Sequence, residues 1–95
     1  MGLFSKKSEL IDLNERLSKE EIELLTGELV KASNNMPSEA GNVYYKVAES
    51  IKKKEGVSAK QAKKLCVAAL RFNLMNKKAG EGTAELITKL EEILK

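Results

Sequence analysis

The chain has 95 residues, a formal net charge of +3 and no histidine. Apolar residues make up 42% of it, enough for the packed interior of one small domain and too many for a chain disordered throughout. No apolar run approaches the length that spans a bilayer, no secretory leader pattern opens the sequence, and the lone Cys66 has no partner for an internal disulfide, so a reducing, cytoplasmic setting is expected.

Residues 1–7 are expected to be a flexible segment ahead of a single helical domain over 8–95. The opening "MGLFSKK" approaches a myristoylation signal, but the pattern asks for Ser or Thr at position six and Lys6 stands there. Ser8 begins a short helix over 8–17, with Leu10, Leu13 and Leu17 on one side. "SKEE", Ser18 to Glu21, is a capping box: the serine oxygen accepts a free backbone N–H and the glutamate reaches back. It opens a helix over 19–34, with Ile22, Leu24, Leu25 and Leu29 as its apolar stripe. That helix ends at "SNNMP", where asparagine tolerates a left-handed backbone and Pro37 disfavours helix at Met36. Ser38 is expected to cap a third helix over 39–54, burying Ala40, Val43, Tyr44, Val47, Ala48 and Ile51, until Gly56 stops it. Ser58 caps a long helix over 59–78 that stops before Gly80. Beyond the "GEG" turn, a last helix over 84–94 buries Leu86, Ile87, Leu90 and Leu94. Only Val43 to Tyr45 is β-prone, and the helical spacing around it outweighs that. The reading is all-α: a compact bundle or orthogonal array of four to five helices.

Charge is distributed unevenly. Residues 8–30 hold seven acids against Arg16 and Lys19, whereas residues 51–80 hold nine bases against Glu55 alone. Such a split points to nucleic acid, to an acidic partner, or to two halves that attract each other. On a wheel of about 100° per residue, Ala62, Leu65, Cys66, Ala69 and Phe72 share the core face of the long helix. Lys60, Lys64, Arg71 and Lys78 line up opposite, in a stripe spanning roughly 27 Å. Val67 and Leu74 fall inside that stripe and Leu70 at its edge. A helix apolar nearly all round is usually central and packed on two sides. The alternative is an exposed seam of Val67, Leu70 and Leu74 ringed by Lys63, Lys64, Arg71 and Lys78, suited to an acidic amphipathic partner or a second copy.

The stretch around Gly56 resembles a helix-turn-helix in part, over about a fifth of the chain: Val57 follows the glycine, with Ala62 six and Leu65 nine residues on. Lys52, however, stands four before it, where the two helices should touch, and Glu55 directly precedes it. Lysines are also favourable at a helix C-terminus merely by complementing its dipole. Aromatic side chains for stacking bases are limited to Phe4, Tyr44, Tyr45 and Phe72.

The absence of histidine removes the commonest general base and metal ligand. Cys66 sits on the core face, and no zinc spacing, phosphate-binding glycine loop or nucleophile elbow is present. Neither catalysis, nor a metal, nor a cofactor is expected. The expected function is a small cytoplasmic protein-interaction module, a regulator, inhibitor or immunity-type factor. Its expected partner surface is Lys60, Lys63, Lys64, Val67, Leu70, Arg71, Leu74 and Lys78. The alternative is a DNA- or RNA-binding accessory protein using Lys52, Lys53, Lys54, Lys60 and Lys64. Weak membrane contact through Leu3, Phe4, Lys6 and Lys7 is a third reading.

Overall fold

The computed structural model describes residues 10–95. Four helices pack around one contiguous apolar cluster: α1 (Lys19–Asn34), α2 (Ser38–Lys52), α3 (59–75) and α4 (Thr83–Ile93). The all-α reading holds. The expected Ser8-capped helix does not form over its described part. Leu10–Ile11 (β1) instead pairs antiparallel with Val57–Ser58 (β2), and a 3₁₀ turn follows over Leu13–Glu15. The cause is local. The Asp12 carboxylate accepts the Asn14 backbone N–H at 3.0 Å, ending any helix that would run through it and starting a new turn. Leu13 and Leu17 still reach the core, whereas Leu10 is 65% exposed. Ser8 lies outside the described residues.

α1 starts as its sequence dictates. Ser18 Oγ accepts the Glu21 N–H at 3.1 Å and Glu21 Oε1 accepts the Ser18 N–H at 2.8 Å, which satisfies two of the four orphan donors of the first turn. Its Leu25, Leu29 and Ala32 are fully buried; each leucine contributes about 1.5–3 kcal/mol. At α2 the cap moves by one residue. Pro37, not Ser38, occupies the position before the helix, where its fixed φ suits helix entry. The buried stripe of α2 is Gly41, Val47, Ala48 and Ile51; Ala40 and Val43, expected inside, are exposed. Gly41 explains the rotation. A Cβ there would lie 2.5 Å from the Ser33 carbonyl oxygen of α1, so the helices cross where no side chain intervenes.

α2 and α3 both end in the same motif. In α2, the Lys54 and Glu55 N–H groups bond the Ile51 and Ser50 carbonyls; in α3, the Lys77 and Lys78 N–H groups bond those of Leu74 and Asn73. These are Schellman closures. Their left-handed position is filled by lysine each time, Lys54 at φ 59° and Lys77 at φ 57°, where glycine is the unstrained choice. This closure stops α3 at Met75 rather than near 78.

α3 begins on Ser58, whose Oγ accepts the Gln61 N–H at 3.1 Å. It runs as helix over Ala59–Gln61, a π turn over Ala62–Val67, and α-helix over Ala68–Met75. It is central, packing against α1, α2 and α4.

Candidate functional site: a lysine corner and its groove

The predicted surface does not survive as one patch. Val67 is 6% exposed and Leu70 is 0% exposed, so neither is available to a partner, and the exposed seam is corrected to core. The π turn supplies the reason. Its wider i→i+5 winding makes each residue lag a wheel drawn at about 100°, which swings Val67 and Leu70 inward from the basic stripe. Leu74 remains 41% exposed beside Met75 at 82%, at the end of α3. Arg71 pairs with Glu91 of α4. Lys78 Nζ donates to Asn35 Oδ1 at 2.8 Å, while its carbonyl accepts from Lys31 Nζ at 2.6 Å. The far half of the stripe is therefore occupied with neighbours.

The near half is different. Lys52, Lys53, Lys54, Lys60, Lys63 and Lys64 are all exposed, and none forms an ion pair among the described residues. The acids that find partners do so elsewhere: Glu28 with Lys31, Glu21 with Lys89, Glu91 with Arg71 and Glu92 with Lys95. The six lysines flank the connection from α2 to α3, a cationic corner that also holds the exposed Glu55. The α2–α3 connection is not a tight helix-turn-helix turn, because residues 53–58 carry a left-handed lysine, Gly56 at φ 81° and strand β2.

Beside this corner lies a groove of about 560 Å³ between the 3₁₀ turn, the start of α1 and the end of α2. Leu17 and Ile22 give it apolar surface; Lys19, Lys52 and Lys54 line it together with Glu23. One wall is held by Asn14, whose Nδ2 donates to the Ile51 carbonyl at 2.8 Å. Sequence reading includes Lys52 and Lys54 but misses Lys19, Leu17 and Ile22. A signal was present: Lys19 occupies the first position of α1, where a positive charge faces the positive end of the helix dipole.

A buried polar node fixes α1, α3 and the loop before α4. The Glu28 carboxylate accepts from Asn73 Nδ2 at 2.7 Å, Lys31 Nζ at 2.9 Å and the Gly80 N–H at 3.0 Å. Burial pushes this carboxyl's pKa up, but the hydrogen bonds from Lys31, Gly80 and Asn73 outweigh it and hold it below its ordinary value. Asn73 Oδ1 is buried with no hydrogen-bond partner among the described residues. Burial alone raises the Cys66 thiol to about 12, so it is no nucleophile at neutral pH.

No helix among the described residues is long and apolar enough to cross a membrane. Leu3, Phe4, Lys6 and Lys7 lie outside the described residues. Comparison with protein-family models, with curated proteins and with solved structures finds no match to this chain.

Proposed function

We propose that this chain is a non-catalytic, cytoplasmic interaction module of a regulatory kind that binds an acidic surface on a protein partner through the lysine corner. The observation that carries this reading is the set of six exposed lysines over 52–64 without ion partners among the described residues. Uncompensated like charge raises the energy of the compact state, and a partner of opposite sign relieves it. A nucleic-acid role is the second reading, favoured by the same lysines and by the burial of Val67 and Leu70, which leaves the corner mainly hydrophilic. Such binding would weaken steeply with salt.

One experiment separates them. The wild-type chain and a Lys60→Glu/Lys63→Glu/Lys64→Glu variant are compared as cross-linking baits in cell extract, with and without nuclease. A protein cross-link that resists nuclease and disappears in the variant supports the module reading. Loss on nuclease treatment, with micromolar binding of mixed-sequence duplex DNA or single-stranded RNA near physiological salt, replaces it with the nucleic-acid reading. A cross-link unchanged by the charge reversal removes the corner from the binding surface.

A further inference from the structure

Two lysines of the groove stand where local backbone physics disfavours them. Lys19 holds the first turn of α1, where acids are favoured and cations repelled. Lys54 holds the left-handed position that ends α2, where a side chain is strained and glycine is not. Neither forms an ion pair among the described residues. Yet both line one groove, together with Lys52 and the apolar Leu17 and Ile22. Lys77 shows that a left-handed lysine by itself marks no site; what sets Lys54 apart is that it shares one concavity with Lys19 and Lys52.

We infer that the groove between the 3₁₀ turn, α1 and α2 is the docking site for an acidic, amphipathic segment of a partner protein, which seats an apolar side chain on Leu17 and Ile22 and carboxylates on Lys19, Lys52 and Lys54. This rests on the module reading above and narrows it to a site and a chemistry. The occupant follows from complementarity: Lys19, Lys52 and Lys54 line the groove against Glu23 alone, together with the apolar Leu17 and Ile22, so the ligand carries acids beside an apolar anchor. A phosphate chain fits less well. Glu23 shares the lining and repels carboxylate and phosphate alike, but none of the described aromatics lines the groove to stack a base, and Leu17 and Ile22 offer a phosphate chain nothing to bind.

The same reasoning supplies an unusual test, because removing the Lys54 charge should help folding. Lys54→Gly places the preferred residue at a left-handed position, so its urea midpoint rises. Lys77→Gly does the same at the end of α3 and is the control. The probes are a peptide of alternating glutamate and leucine and a matched peptide of glutamate and serine, titrated into isotope-labelled protein at low salt. The leucine peptide should shift the Leu17, Lys19, Ile22 and Lys54 amide resonances, and the serine peptide should bind at least about five-fold more weakly for want of the apolar anchor. Lys54→Gly and Lys19→Gln should each weaken binding about two- to five-fold, whereas Lys77→Gly leaves it unchanged. Shifts confined to Lys60, Lys63 and Lys64, with no preference for leucine, overturn the groove and leave the lysine corner standing. No binding of either peptide overturns both.

Discussion

Changing Glu28 to glutamine keeps the side chain's size and removes its charge. The carboxylate is 3% exposed and accepts from three donors: Asn73 Nδ2, Lys31 Nζ and the Gly80 N–H. An amide has one oxygen, so whichever way it turns, its NH₂ meets a donor. A hydrogen bond to a charged group contributes about 1.5–3 kcal/mol. Lys31 is 37% exposed, and water replaces part of its loss, so its share falls at the low end. We expect Glu28→Gln to lower the unfolding free energy by about 2–3 kcal/mol at neutral pH, out of a total of roughly 5–15 kcal/mol. Urea denaturation reads this directly, and the Gly80 amide should lose exchange protection as its loop detaches. The pH dependence has a definite sign. Glu28 titrates below its ordinary value of 4.5 in the folded chain, so its contribution is complete above that value and is lost as pH falls through the folded pKa. The gap between wild type and variant should therefore be flat above about pH 6 and close progressively below about pH 4.5. A gap under about 0.5 kcal/mol at neutral pH, within the range of an ordinary surface change, or one that persists undiminished in acid, refutes the node as described.

Gly41→Ala tests the α1–α2 crossing. Alanine gains about 1 kcal/mol of helix propensity over glycine, but its Cβ meets the Ser33 carbonyl at 2.5 Å. Overpacking dominates, and a net loss of about 1–2 kcal/mol is expected in a melting experiment. Cys66 is fully buried, with its thiol raised to about 12. It should react with a thiol reagent only at the rate of unfolding, so labelling should accelerate with urea and be negligible in native buffer at neutral pH.

The sequence was most legible where backbone rules act over three or four residues. The Ser18–Glu21 box and the Ser58 cap form as read, and the helix that the box opens, expected over 19–34, has those bounds. It was least legible where one residue sets the backbone against a longer pattern. Asp12 replaces a helix with a 3₁₀ turn, Gly41 rotates α2 about its axis, and the π turn shifts the register of α3. None of these changes apolar spacing, so a wheel cannot see them. For the site, the lysine run was visible as composition. The groove was not, because it joins Leu17, Lys19 and Ile22 to Lys52 and Lys54 through tertiary packing alone.

The hydrogen bond from Asn14 to the Ile51 carbonyl spans 37 residues, and that span predicts an order of assembly. α1 and α2 are joined by only residues 35–37, so their pairing closes a short loop. Drawing the 3₁₀ turn onto the end of α2 requires a loop roughly ten-fold longer, an extra entropic penalty of about 2 kcal/mol. The α1–α2 hairpin should thus be structured in the folding transition state, with mutational φ-values well above those at Leu13 and Leu17. A nascent or partly unfolded chain then carries its lysines from the start but lacks the floor between them. Acidic chains would find only a diffuse polycation in that state, and selective capture would begin with the last closure.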